Sequence, residues 1–259
     1  MTERLLSYMT PGFPASLFEL VAERLGVDLE FDSARSGPDP DDDPFLDGRC
    51  DLGWICSTSF VDLSLRAASP SVQLVGVAWV PDDPDADGRP VYFSDIVVAP
   101  GSNLQSLDEL AGHRIGCNDP ISLSGHHALR FEIERRGGDP DAFADLVFTG
   151  GHDASLDAVA AGELDAAVID SVVRTRRIRT DPTIASLRVI DRLGPWPVQP
   201  LVARSDMTAD ELAAFAALLL DANNDPAMQA ELEAAALTKF VAVGANHYEP
   251  VRQAMSTTA

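Results

Sequence analysis

The sequence predicts an α/β protein in which strands and helices alternate. Three observations carry this. Short apolar runs recur along the chain, each followed by a segment with apolar residues at helical spacing. Polar residues gather where four of those runs end, at 57–59, at 122–124, at His152 and at Asp170. The length of 259 residues suits one large domain or two lobes of roughly 100–150 residues each.

Taken in order, residues 5–9 read as a first strand closed by a Pro11-Gly12 turn. Leu17, Phe18, Val21, Ala22 and Leu25 give residues 15–25 an apolar helical face, and Gly26 ends that helix. Residues 27–31 form a second strand, and 37–44, rich in Asp and Pro, a solvated loop. A buried strand ends at Ile55, with Cys56-Ser57-Thr58-Ser59 at its carboxyl end and a helix expected over 60–67. Residues 72–80 predict one strand, 81–88 a second acidic loop, and 91–99 a strand stopped by Pro100-Gly101. A helix over 106–111 carries Asp108 and Glu109 in its first turn, where the positive end of the helix favours them.

Residues 114–117 are the next strand, followed by Asp119-Pro120-Ile121-Ser122-Leu123-Ser124-Gly125-His126-His127 and a helix marked by Ala128, Leu129, Phe131 and Ile133. Strand 145–148 runs into Thr149-Gly150-Gly151-His152-Asp153, then a helix with Leu156, Val159 and Ala160 that Gly162 ends. Residues 165–171 are a further strand. Val189-Ile190 begins a last strand pair that Val202-Ala203 continues, across a proline-punctuated passage at 193–200. Helices over 209–223 and 228–235 and a tail at 248–252 close the chain. This order predicts a mostly parallel, helix-covered sheet.

Nineteen basic residues, of which only Lys239 is a lysine, stand against 41 acids, for a net charge of −22. Such a surface repels nucleic acid and anionic membrane, so neither is expected as a partner. No segment approaches the ~18 apolar residues needed to span a bilayer. Long-range steering also opposes an anionic ligand, so an anion site must be built from local donors. Cys50, Cys56 and Cys117 lack metal-ligand spacing and are expected as free core residues, and no metal or cofactor is expected. Met1-Thr2-Glu3-Arg4 leads at once into a strand with no signal-peptide core. That predicts a cytoplasmic protein as the sequence stands, or a periplasmic or extracellular one if a leader was trimmed.

The turn at 119–127 carries the strongest chemical signal. A helix start has amide N–H groups without internal partners and a partly positive end, a combination that suits an oxyanion. Ser122 and Ser124 add hydroxyls, and Gly125 lets backbone approach closely; the alternative is that one serine is simply an N-cap. Open α/β sheets bind ligands at strand carboxyl ends, so Ser57, Thr58, His152 and Asp170 are expected to converge on the same cleft. Of the adjacent His126 and His127 only one can face it, and His126 is the candidate. Asp170 either holds a cationic group on the ligand or caps the following turn. Ser124, His152 and Asp170 offer nucleophile, base and orienter in order, but no nucleophile-elbow pattern surrounds Ser124, so no catalytic residue is assigned.

Ser106-Leu107-Asp108-Glu109-Leu110-Ala111-Gly112-His113-Arg114-Ile115-Gly116, the 119–125 turn, Thr149-Gly150-Gly151-His152-Asp153-Ala154 and Gly162-Glu163-Leu164-Asp165-Ala166-Ala167-Val168-Ile169-Asp170-Ser171 follow one another at a characteristic spacing. With Asp51-Leu52-Gly53-Trp54, Tyr92-Phe93-Ser94 and Tyr248-Glu249-Pro250-Val251-Arg252, the chain resembles the solute-binding proteins of phosphate/phosphite/phosphonate ABC transporters over nearly its whole length. The resemblance implies a two-lobed, periplasmic-binding-protein-like fold of type 2. Hinge strands would cross near 97–99 and 199–202, with lobe 1 at 1–97 and 200–259 and lobe 2 at 98–199. It implies a small oxyanion held by Ser122, Ser124 and Gly125, with His152, Asp170 and Tyr92 in the pocket (Tyr92 either bonding the ligand or packing at the hinge), and a transporter permease as partner if the protein is exported. A cytoplasmic enzyme or ligand sensor on the same fold is the alternative. The family commonly has three successive hydroxyl residues in the turn; here the middle one is Leu123, which predicts a less charged or apolar-substituted ligand if its side chain faces the site.

Overall fold

The computed structural model describes residues 2–39 and 41–257. β1 (Arg4–Ser7), α1 (Ala15–Leu25) and β2 (Asp28–Phe31) open the chain as expected. Leu17, Phe18, Val21, Ala22 and Leu25 are the buried face of α1, and Gly26 ends the helix in left-handed conformation, donating its N–H to Ala22 and Glu23 carbonyls. β3 (Leu52–Trp54) is fully buried and runs into α2 (Ser57–Phe60), which loosens into a wide helical turn over Val61–Leu65. Residues 72–80, expected as one strand, are divided into β4 (Val72–Leu74) and β5 (Val77–Pro81) at Gly76, whose φ of +93° a side chain would strain.

β6 (Val91–Val98), β7 (Arg114–Cys117), α3 (Ala128–Arg135), α4 (Pro140–Phe143), β8 (Asp145–Phe148), α5 (His152–Ala160) and β9 (Ala166–Asp170) follow. Then come α6 (Ser171–Thr180), α7 (Pro182–Ala185), β10 (Arg188–Pro197), β11 (Leu201–Arg204), α8 (Ala209–Asp221), α9 (Pro226–Ala234), β12 (Leu237–Ala242) and α10 (Glu249–Thr257). α6 and β12 are elements the sequence pattern did not reveal, and the helix expected at 106–111 is a single tight turn, Leu107–Leu110. The aspartate excess has a local use. Asp83-Pro84, Asp139-Pro140, Asp181-Pro182 and Asp225-Pro226 each start a helical segment, the Asp carboxylate accepting the N–H two residues on.

The strands form two five-stranded sheets and one ribbon. The first sheet has the order β2-β1-β3-β11-β4, the second β10-β6-β9-β7-β8, and β12 pairs with β5 alone. Neither sheet is mostly parallel. In the first, β11 runs antiparallel to β3 and β4; in the second, β6 runs antiparallel to β9 and β10. The expected crossing near 97–99 also moves, because β6 pairs along its length with β9 and β10 inside the second sheet. Residues 91–97, expected in the first lobe, therefore stand in the second, and the chain passes between sheets within 82–90 and again at 198–200.

Each sheet has its own core. Trp54 and Trp79 stack at 4.5 Å with Phe13, Phe18 and Phe240 around them in the first, while Ile96, Ile115, Leu129 and Val168 centre the second. Fully burying one such side chain is worth about 1.5–3 kcal/mol, and the first core also takes in Tyr92, Val172 and Val173 from β6 and α6. A smaller apolar cluster of Cys56, Val61, Leu123, Phe131, Val251 and Met255 joins the two, with α10 laid across it. Among the described residues, no helix is long and apolar enough to cross a membrane.

Candidate functional site

The carboxyl ends of β1 and β3 face those of β7, β8 and β9 across a small chamber. Its volume is about 50 Å³, room for about three to five water-sized groups. The first sheet supplies Tyr8, Thr10, Phe13, Arg35, Ser36 and Cys56; the second supplies Tyr92, Asn118, Ser122, Ser124, His152 and Asp170. Gln199 enters from the second crossing. The two walls are bonded to each other around the rim. Asn118 Nδ2 donates to Ser36 Oγ at 3.0 Å, Ser36 donates to Asp119, and Arg176 Nε donates to the Gly12 carbonyl at 3.0 Å.

The turn after β7 is folded by its own polar groups. Asp119 Oδ1 accepts the N–H groups of Ile121 and Ser122 at 2.9 and 3.1 Å, which bends the chain into the helical turn Leu123–His127. Ser122 is the N-cap of that turn, taking the Gly125 N–H at 3.1 Å, and it also lines the chamber. Leu123 N–H is taken by Cys56 Sγ at 3.2 Å, whereas the Ser124 N–H has no hydrogen-bond partner among the described residues. A free first-turn amide at the positive end of a helix is an anion donor.

His152 opens α5 and lies with Nε2 3.4 Å from Ser124 Oγ. Its Nδ1 lies 3.4 Å from the Asp170 N–H, so the tautomer with its proton on Nε2 accepts that N–H and donates toward Ser124. Burial pushes the His152 pKa down to about 4, with the Val168 carbonyl opposing, so the ring is a neutral donor. Tyr92 is fully buried and its hydroxyl has no partner; burial raises its pKa, and the nearby Ser124 hydroxyl, outside bonding geometry, opposes the rise. Burial likewise raises Asp170, to about 6, against the Val172 and Val173 N–H groups and Gln199 Nε2 that bond its carboxylate at 2.8, 3.3 and 2.8 Å. Asp170 thus caps α6 and faces the chamber as well.

Ser124, His152 and Asp170 do not form a nucleophilic relay. Asp170 meets His152 through its backbone N–H, and its carboxylate is spent on α6 and Gln199. Four expected site residues stay out of the chamber lining. Ser57 Oγ donates to the Pro197 and Val198 carbonyls, and Thr58 Oγ1 to the Ile121 carbonyl at 2.5 Å, so both hydroxyls fasten the lobes together. His126 is buried outside the chamber lining, its Nδ1–H on the Pro120 carbonyl at 2.9 Å and its ring edge-on to Phe148. Gly125 contributes space, since a Cβ there would lie 1.9 Å from Asn118 Oδ1 and 2.8 Å from His152 Cε1. Leu123, fully buried in the cluster between the lobes, does not face the chamber.

Arg35, Ser36, Tyr8, Asn118 and Gln199 were not singled out in the sequence. Arg35 is the one cation among the lining residues, and its ion pair with Asp42 is long at 3.7 Å. Only a charge argument could have found it, since a neutral His152 and two carboxylates leave any anion in need of a cation.

Residues 15–248 match the model of a protein family described as ABC transporter, phosphonate, periplasmic substrate-binding protein. Among solved structures, a binding protein component of an ABC phosphonate transporter from Pseudomonas aeruginosa aligns over 98% of this chain and 85% of its own, with a TM-score of 0.76 and 18% identity. PhnD1 of Prochlorococcus marinus in complex with methylphosphonate aligns over 99% of this chain and 97% of its own, with a TM-score of 0.77 and 15% identity. The periplasmic aliphatic sulphonate binding protein SsuA of Escherichia coli follows at 0.62 and 15% identity, over 99% and 92%. At such identities the likeness is one of fold. A search of curated proteins by sequence gave no match.

Proposed function

The chain belongs to the family of periplasmic substrate-binding proteins of phosphonate ABC transporters, and from that premise we propose that it captures a small phosphonate-like oxyanion in the chamber between its lobes. The observation that carries the reading is the donor set on the residues that line the chamber of about 50 Å³: the Ser124 amide and hydroxyl, the His152 ring and the Tyr92 hydroxyl, which has no partner among the described residues. Neutral donors held by a rigid scaffold stabilise an anion without the desolvation cost of burying a cation opposite it. Arg35 at the rim supplies the compensating charge. A chamber of this size suits a bare phosphorus or sulfur oxyanion with at most a small substituent.

Because the chamber has one wall from each sheet, capture requires the lobes to part and close. The moving bodies are residues up to about 81 with 201–259, and 91–197; the segments 82–90 and 198–200 serve as hinges. Delivery of the ligand to a transporter permease in the periplasm completes the proposal.

A thermal-shift panel of phosphate, phosphite, methylphosphonate, aminoethylphosphonate, sulfonates and carboxylates tests the ligand class. Stabilisation confined to phosphorus or sulfur oxyanions is expected; stabilisation by carboxylates alone contradicts the reading. Small-angle scattering with and without a binding ligand tests closure, and identical profiles under saturation would remove the clamshell.

A further inference from the structure

Two residues that line the chamber, Gln199 and Asn118, have a buried carboxamide oxygen with nothing to accept among the described residues. Gln199 is buried, its Nε2 donates to Asp170 Oδ2 at 2.8 Å, and its Oε1 has no partner. Asn118 repeats the pattern: Nδ2 donates to Asp119 Oδ2 and Ser36 Oγ, both at 3.0 Å, and Oδ1 has no partner. Neither amide can turn over, because each would then set an oxygen against a carboxylate oxygen. The carboxylates therefore fix both side chains with the oxygen as the free group, and an amide oxygen has no proton to give. Buried acceptors of this kind are rare in native proteins and point to a donor that completes them.

We infer that the chamber selects a tetrahedral oxyanion that still carries a hydroxyl proton, donated to Gln199 Oε1, over one that carries none. This rests on the proposed function and narrows it. The deprotonated oxygens of the ligand meet Tyr92, Ser124 and His152, the donor side. Its hydroxyl meets Gln199, with Asn118 Oδ1 as the second acceptor beside Gly125. A fully deprotonated oxyanion has only lone pairs to set against these oxygens. A phosphonate dianion also brings more charge toward Asp119 and Asp170 than its monoanion does.

Calorimetric titration with methylphosphonate and with methanesulfonate, at pH 7 and pH 9, tests this. The two have nearly the same shape, but the sulfonate has no hydroxyl, and methylphosphonate loses its remaining proton across this range. No group facing the chamber interferes. Burial holds His152 at about 4 and Asp170 at about 6 and pushes the Tyr8 and Tyr92 phenols and the Cys56 thiol upward; Arg35 and Asp119 also face the chamber. Methanesulfonate is expected to bind about ten- to a hundredfold more weakly at pH 7, with no change at pH 9. Methylphosphonate is expected to lose about tenfold or more between pH 7 and 9, and Gln199→Met to narrow the gap between the two ligands. Equal affinity for both at pH 7, or methylphosphonate affinity independent of pH, overturns the inference while leaving oxyanion capture in place. Failure of every oxyanion to bind overturns the proposed function, and this inference with it.

Discussion

The Leu123 N–H donates to Cys56 Sγ across the boundary between the lobes, at 3.2 Å, while the Leu123 side chain packs beside that sulfur with Val61, Phe131, Val251 and Met255. The residue that departs from the hydroxyl pattern of the turn is thus a fastening of the closed form. Leu123→Thr is expected to lower stability by about 1–3 kcal/mol, through lost apolar contact and a buried hydroxyl. Relative affinities across the oxyanion panel should stay the same. Chemical denaturation together with the panel checks both parts; a new preference for phosphate in the variant would return Leu123 to the ligand site.

Gly125 is held to glycine by crowding. A Cβ there would meet Asn118 Oδ1 at 1.9 Å and His152 Cε1 at 2.8 Å, so Gly125→Ala must displace the groups that shape the chamber. We expect about 1–3 kcal/mol of destabilisation and loss of oxyanion binding together. Denaturation and calorimetry on the same variant show whether the two losses coincide. Wild-type affinity in a stable Gly125→Ala protein would contradict the close approach.

His152 and Asp170 predict opposing responses to pH. Burial lowers the folded pKa of His152 from 6.5 to about 4, so the unfolded chain binds the extra proton, and this contribution falls away as pH drops from about 6.5 to 4. Burial raises Asp170 from 3.8 to about 6, so the folded state binds the extra proton, and that contribution is lost as pH rises from about 4 to 6. Each is worth at most about 3 kcal/mol, and in the wild type they largely cancel. Relative to wild type, His152→Gln should gain stability on acidification across this window and Asp170→Asn should lose it. Denaturation midpoints at several pH values check the signs; parallel curves for all three proteins would contradict the buried placement.

Among the described residues, Arg35 at the rim has only a long, half-exposed partner in Asp42. Arg35→Gln is expected to weaken oxyanion binding about tenfold at low salt and to flatten its salt dependence, since an exposed charge is screened by ions. Titrations at two ionic strengths check this, and an unchanged affinity at low salt would remove Arg35 from the site.

What was legible in the sequence follows from how local each signal is. The amphipathic face of α1, its Gly26 cap and the strand-turn-helix around Ser122 are set by neighbours within a few residues, and they stand as expected. The partition of strands between the sheets was less legible, because whether residues 91–97 pair with β9 or with the first sheet depends on partners about 70 residues away. Ser122, Ser124, His152 and Asp170, singled out by the strand-end argument, and Tyr92, singled out by the family resemblance, all line the chamber. Ser57 and Thr58 met the same criterion, yet nearby carbonyls claim their hydroxyls. Gln199 was hidden for the opposite reason: nothing in a proline-punctuated crossing says which side chain finds Asp170.

The central claim is that the Ser124 and His152 donors hold an oxyanion in the chamber. Calorimetric titration of methylphosphonate into the wild-type protein and into Ser124→Ala and His152→Ala measures this most directly. The predicted result is one site per chain in the wild type, and an affinity about ten- to a hundredfold lower in each variant, with unfolding still cooperative. Wild-type affinity in both variants would contradict it and leave the Ser124–His152 pair a matter of packing alone.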